Sequence, residues 1–324
     1  MTCVGPAQVT WQTAAVSTAE RVCAIVGPTA AGKSDLSLAV AVRGGAEIVN
    51  ADSMQLYRGM DIGTAKLAPG ERRGVPHHLI DVLEVSEPAT VADFQGWART
   101  AITDCHSRNV VPVLVGGSAL YVRAVLDDFA FPGTDAAVRA RLETELAAHG
   151  APTMHERLAE LDPDAAAKIL PGNGRRIVRA LEVIELTGSR YAASLPAPAY
   201  GYDDVRVVGL DVPRNVLDAR IALRVDRMWE AGLVEEVRAL ARQGLADGRT
   251  ARRALGYAQV LDHLAGQSTE HEAREATVRR TRRFARRQDR WFRQDPRIDW
   301  LAYDAPNLAD LAFRRLGFEE RAAQ

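Results

Sequence analysis

The stretch Gly27-Pro28-Thr29-Ala30-Ala31-Gly32-Lys33-Ser34 follows directly on the apolar run 22–26. It has the spacing G-x-x-x-x-G-K-[ST], which places a phosphate-binding loop between a buried strand and a helix. Glycine lets the backbone curl into a nest whose N–H groups converge on phosphate oxygens, and the helix behind it adds its N-terminal partial positive charge. Lys33 is expected to reach the terminal phosphates, and the Ser34 hydroxyl to hold Mg2+. An ordinary glycine-rich strand-to-helix turn is the alternative, and the Lys33-Ser34 pair speaks against it. The loop specifies a di- or triphosphate, not a reaction.

Outward from this loop, apolar runs at 47–51, 78–82 and 110–115 alternate with helical patterns. Alternation of that kind predicts an α/β fold, a P-loop NTPase-like doubly wound parallel sheet. Beyond Pro132-Gly133 the strand signals stop, and helical periodicity takes over at 136–149, 153–161, 164–169 and 175–186. We read residues 133–204 as a helical insert domain that ends in the Pro/Ala linker 194–199. Residues 21–132 and 205–324 would form the catalytic core, with strands at 205–211 and 300–303 and helices at 217–244 and 272–293. Residues 1–20 read as a loose leader.

The chain has 324 residues and a formal charge of −1, so a surface for a polyanion must be a local patch. Lysine occurs only at Lys33, Lys66 and Lys168, and arginine supplies the other cationic side chains. Cys3, Cys23 and Cys105 form no C-x-x-C pair, which suggests a reducing cytoplasm and no zinc site. No stretch has the length and apolarity of a membrane span. Nothing in the chain calls for an obligate protein partner, and a monomer is expected.

Asp52 ends the second strand, at the carboxyl edge of the sheet where open α/β folds bind ligands. Position alone leaves two roles open: general base, or cap of the next turn. The strand at 110–115 ends in Gly116-Gly117-Ser118, where many nucleotide hydrolases carry a magnesium-ordering aspartate, and this weakens an ATPase reading. The two glycines fit either a close ligand approach or a tight turn. Arg253 precedes a helix that could return over the site, or is plain solvated surface. Arg175, Arg176 and Arg179 share a helix face opposite Ile177, Leu181 and Ile184, a pattern that suits a polyanion or simple solvation. Residues 279–293 interleave eight arginines with Phe284, Trp291 and Phe292; core anchoring by the rings and phosphate contact by some arginines is the expected division. His77-His78 suggests metal, but neighbours on a strand point to opposite faces.

Together these segments resemble the bacterial tRNA dimethylallyltransferases, from about Arg21 to Tyr303. The resemblance rests on the loop above, Asn50-Ala51-Asp52-Ser53-Met54-Gln55-Leu56-Tyr57, Gly59-Met60-Asp61-Ile62-Gly63-Thr64-Ala65-Lys66 and Pro76-His77-His78-Leu79-Ile80-Asp81. Leu114-Val115-Gly116-Gly117-Ser118-Ala119-Leu120-Tyr121, Arg179-Ala180-Leu181-Glu182-Val183 and Gly256-Tyr257 add to it. It implies transfer of a dimethylallyl group from dimethylallyl diphosphate to the exocyclic amine of the adenosine 3′ to the anticodon, position 37 of a tRNA anticodon stem-loop. By the same resemblance Gly27, Pro28, Thr29, Ala30, Ala31, Gly32, Lys33 and Ser34 hold the diphosphate, Thr29 to Ser34 also touch the prenyl donor, and Asp52 is the base. Asp52, Ser53, Met54 and Gln55, then Ser118, Arg139, Arg175, Arg176, Ile177, Val178 and Arg179, would meet tRNA, and Arg253 the leaving diphosphate. Ser118 stands where many relatives have threonine, which keeps the hydroxyl. The rival readings are a prenyltransferase acting on free adenine nucleotides, a P-loop small-molecule kinase and a non-catalytic tRNA-binding protein.

Overall fold

The computed structural model describes residues 21–129, 131–191 and 196–319; the expected leader and residues 194–195 of the expected linker lie outside them. The chain divides into two compact units, one built from the chain up to Asp128 and from Tyr200 onwards, the other Phe129–Ala199. The crossover points thus fall a few residues before 133 and 204. Asp127 already bridges to Tyr200, and Gly201 N–H donates to the Leu126 carbonyl, so the chain rejoins the core before strand 205–211 begins.

The first unit starts with β1 (Val22–Val26), α1 (Lys33–Gly44), β2 (Glu47–Asn50), β3 (His77–His78), α2 (Val91–Ser107), β4 (Pro112–Gly116) and α3 (Ala119–Leu126). The second unit holds α4 (Ala136–Leu161), α5 (Pro163–Lys168) and α6 (Gly174–Thr187). Back in the first unit come β5 (Val205–Asp211), α7 (Arg214–Glu230), α8 (Leu233–Ala241), α9 (Tyr257–Leu264), α10 (Glu270–Phe292), β6 (Asp299–Ala302) and α11 (Leu308–Arg315). The strands lie in the order β3-β2-β4-β1-β5-β6, and every pairing is parallel. β1 shows why: Val22, Ala24 and Val26 face one apolar core and Cys23 and Ile25 the other, all fully buried. A strand apolar on both faces needs helices on both sides, and each buried valine or isoleucine contributes about 1.5–3 kcal/mol.

Two expected elements are shorter than their apolar patterns. The run 78–82 is strand only at its start, because Leu79 and Asp81 adopt positive φ (60° and 58°) and Asn50 Nδ2 draws the Leu79 carbonyl into a loop. The helix expected over 217–244 breaks between α7 and α8 at Gly232, whose φ of 96° is left-handed. In the insert, α4 is kinked at Gly150 (φ 80°) ahead of Pro152. The insert has its own core: Leu142 and Leu158 of α4 pack with Ile177, Val178 and Leu181 of α6.

Candidate active site

The loop after β1 is shaped by three left-handed residues, Gly27 (φ 142°), Ala30 (φ 64°) and Gly32 (φ 104°). Ala30 was not expected among them. Lys33 Nζ folds back to donate to the Pro28 carbonyl at 2.8 Å. Burial lowers its pKa to about 8, with Asp52 opposing that shift and Arg224 adding to it. An ammonium held in this way is poorly solvated and suited to an incoming anion.

Three adjoining cavities of the α/β unit meet at this loop. The widest, about 1030 Å³, is lined by Lys33, Ser34, Arg220, Arg224, Arg227 and Tyr303. A middle lobe of about 110 Å³ is lined by Thr29, Lys33, Ser34, Asp52, Gln55, His77, Arg224, Phe284 and Gln288. The third, about 330 Å³, brings together Thr29, Asp52, Ser53, Met54, Ser118, Arg224, Arg253, Phe284, Arg287 and Gln288. Residues far apart in sequence are thus gathered around one path. Its first end is cationic, Asp52 stands along its course, and its far end carries Ser53, Met54, Ser118 and Arg253.

Both roles left open for Asp52 coexist. Oδ1 accepts the Met54 N–H at 2.9 Å, which fixes the turn, and Oδ2 has no protein partner among the described residues. Asn50 braces the residue from both sides, accepting Asp52 N–H at 2.9 Å and donating to its carbonyl at 3.0 Å.

The sequence did not disclose Arg224. It lines all three cavities and donates to the Thr64 carbonyl at 3.1 Å. Burial lowers its pKa, and Asp52 opposes that shift. Arg253, expected at the leaving diphosphate, is exposed and lines the third cavity, whereas Arg224 lines all three and Arg220 donates to the Ala31 carbonyl of the loop. Within α7 Arg224 reads as one more arginine on an amphipathic helix, and only the tertiary fold distinguishes it. Gln288 was missed as well. Its carbonyl accepts Thr29 N–H at 2.9 Å while its amide donates to the Gly117 carbonyl at 2.7 Å. The two glycines at the end of β4 make room for protein: a Cβ on Gly116 would lie 2.5 Å from the Ala51 carbonyl oxygen, and one on Gly117 2.4 Å from Gln288.

The segment Gly59 to Lys66 is tied down by Glu236, whose carboxylate accepts the N–H groups of Asp61, Ile62 and Gly63 and the Tyr257 hydroxyl. Gly63 is required because a Cβ there would lie 2.4 Å from the Tyr257 ring. Lys66 completes the knot, donating to Tyr57, Asp61 and Asp81. His77 and His78 do face apart. His77 lines the middle lobe, whereas His78 joins Glu47 at 2.7 Å beside Cys105. Arg108 clamps Glu47 through both oxygens and, with the His78 bond, lowers its pKa to about 2, and burial pushes the Cys105 thiol up to about 12. The carboxylate is already matched, and the cluster is structural.

In the insert, Arg175 and Arg176 are exposed. Ile177 and Val178 are buried in the insert core (0% and 1% exposed), so the expectation that their side chains meet RNA is corrected: they hold α6 in place. Arg139 and Arg179 both bond the buried carboxylate of Glu182. In α10, Phe292 is buried while Phe284 lines two cavities, and Trp291 is 40% exposed.

The IPP transferase family model matches residues 55–295. A tRNA dimethylallyltransferase of Thermobifida fusca is 66% identical over 297 residues, 90% of this chain and 93% of that protein. One of Streptomyces coelicolor is 60% identical over 303 residues, 94% and 97% of the two chains. The solved tRNA isopentenylpyrophosphate transferase of Bacillus halodurans superposes with a TM-score of 0.66 at 41% identity, covering 92% of this chain and 97% of that one. A eukaryotic dimethylallyltransferase acting on tRNA gives 0.74 at 26% identity over 88% and 74%. Among the described residues no helix is long and apolar enough to cross a membrane.

Proposed function

The chain belongs to the tRNA dimethylallyltransferase family and is a transferase, and from this premise we propose how its site works. The donor is dimethylallyl diphosphate, the acceptor is the exocyclic amine of adenosine-37 in a tRNA anticodon stem-loop, and the reaction takes place in the cytoplasm. The observation that carries this reading is the shared path along which Lys33, Arg224, Asp52 and Ser118 stand. An adenine amine is a poor nucleophile because its lone pair is delocalised into the ring, so the site must help the leaving group and the departing proton together.

Lys33, Arg224 and the loop amides would stabilise charge building on the diphosphate. Asp52 Oδ2 would take the amine proton as the carbon–nitrogen bond forms. The base must leave its stack to reach the donor, entering by the end lined with Ser53, Met54, Ser118 and Arg253. Phe284 offers a ring face there, and a site closed by RNA at one end and donor at the other keeps water from the electron-poor allyl carbon. The Ser34 hydroxyl, a hard oxygen donor on the middle lobe, would hold Mg2+, and the ion, when bound, would add charge neutralisation at the diphosphate.

Incubating the protein and Mg2+ with labelled dimethylallyl diphosphate, ATP and either bulk tRNA or AMP separates this reading from its rivals. Label in tRNA alone supports it. Label in AMP, or phosphate transfer from ATP with no prenylated product, would overturn it.

A further inference from the structure

Glu182 is fully buried in the insert, yet it is a carboxylate. Burying an ionised carboxylate is costly unless its partners are excellent, and here five donors meet it. They are the Thr134 hydroxyl, Asp135 N–H at 3.2 Å, Arg139 Nε at 3.3 Å and Nη2, and Arg179 Nη1 at 2.8 Å. Burial pushes its pKa up, but the bonds from Thr134, Arg179 and Arg139 outweigh that and hold it below the usual carboxylate range. Arg179 also donates to the Pro132 and Gly133 carbonyls.

The two guanidiniums are only partly consumed. Each has five N–H donors in a fixed fork; Arg139 remains 30% exposed and Arg179 23%. Nη2 of Arg139 and Nη1 of Arg179 touch the same oxygen, Oε2, so the two forks lie side by side, where like charges would otherwise push them apart. One buried negative charge thus keeps two adjacent, partly exposed positive groups in register.

We propose that Glu182 is a positioning residue for RNA, holding Arg139 and Arg179 as a paired clamp for neighbouring phosphates of the tRNA backbone. The inference rests on the reading of this chain as a tRNA-modifying enzyme. It makes a prediction of sign. If Glu182 were a bystander, removing its negative charge from beside an RNA surface would strengthen tRNA binding; if it positions the arginines, removal weakens binding. Glu182→Gln keeps an acceptor for Thr134 and Asp135 but turns amide hydrogens towards the guanidiniums.

The experiment measures tRNA and donor kinetics of the full-length variants, with tRNA binding at several salt concentrations. E182Q should raise KM for tRNA about tenfold, a modest loss of binding free energy. It should also flatten the slope of log affinity against log salt by about one unit, near one lost phosphate contact. kcat and the donor KM should stay within about twofold, since a positioning defect at the RNA removes uniform binding. Thr134→Ala removes a neutral donor from the same carboxylate and should leave the tRNA KM within about twofold. Arg139→Lys keeps the charge but cannot hold Glu182 and a phosphate at once, and should resemble E182Q; it carries the test should E182Q fail to fold. Unchanged or tighter tRNA binding by a folded E182Q, or an equal loss in T134A, would overturn the proposal. Arg139→Ala and Arg179→Ala are the control on the underlying reading. If both leave tRNA binding unchanged, the surface reading itself fails; if both weaken it while E182Q does not, only the positioning role does.

Discussion

Replacing Lys33 by methionine should make the substrate-free protein more stable while destroying its response to donor. Burial lowers the Lys33 pKa from its ordinary 10.5 to about 8, and at about 1.4 kcal/mol per unit this amounts to roughly 3 kcal/mol of cost for holding the ammonium in the empty site. Lys33 keeps some solvent contact through the cavity, so the full figure is an upper bound. Methionine also forfeits the bond to the Pro28 carbonyl, about 1 kcal/mol, although that oxygen retains the Ala31 N–H. The net gain is about 1–2 kcal/mol, or a rise in Tm of about 3 °C for a chain of this size. Its sign depends on pH. The unfolded state binds more protons than the folded state between pH 8 and 10.5, so wild-type stability climbs across that window. The advantage of K33M is complete below pH 8 and shrinks above it. With dimethylallyl diphosphate present the order reverses, because only the wild-type protein gains ligand stabilisation. Thermal unfolding from pH 6.5 to about 9.5, with and without donor, reads all of this. An empty K33M protein that melts below wild type at neutral pH, or a difference that does not change with pH, would refute the reasoning.

Asp52→Asn keeps an acceptor for Met54 N–H but cannot take a proton, so single-turnover transfer should slow by about a hundredfold or more while tRNA affinity holds; near-normal turnover would return Asp52 to its turn-fixing role. Arg224→Ala should lower kcat/KM by about a hundredfold or more through the leaving diphosphate, whereas Arg253→Ala should leave the donor KM within about twofold; steady-state kinetics in both substrates would show the opposite ranking if Arg253 were the leaving-group residue. Gly63→Ala drives a methyl into the Tyr257 ring and should cost about 2 kcal/mol by denaturant titration, and an unaltered midpoint would mean that the Glu236 knot yields freely.

How far the residues announced this structure depended on whether their signal was local. β1 and β5 were legible because an apolar run bounded by turn residues is a property of a few neighbours. The phosphate loop was legible because its spacing encodes its own shape. The end of β3 was not, because the left-handed residues Leu79 and Asp81 are held from outside the run, by Asn50 at the Leu79 carbonyl and by the Gln55 carbonyl at the Asp81 N–H. Arg224 and Gln288 escaped for the same reason, since each sits in an amphipathic helix rich in charge and only packing selects which polar residue points inward. The arginine face of α6 was half legible. Its apolar side could be read from periodicity, but the buried partner that claims Arg179 stands beside Val183 in a stretch that looks like ordinary helix.

The most direct test of the central claim is to locate the transferred group. A tRNA transcript and the same transcript with guanosine in place of the adenosine 3′ to the anticodon would each be incubated with donor and Mg2+, digested to nucleosides and analysed by mass. The enzyme should place one dimethylallyl group on the exocyclic amine of that adenosine, release one diphosphate for each group transferred, and give no product from the guanosine transcript. Prenylation elsewhere, equal modification of the guanosine transcript, or diphosphate release without transfer would contradict it.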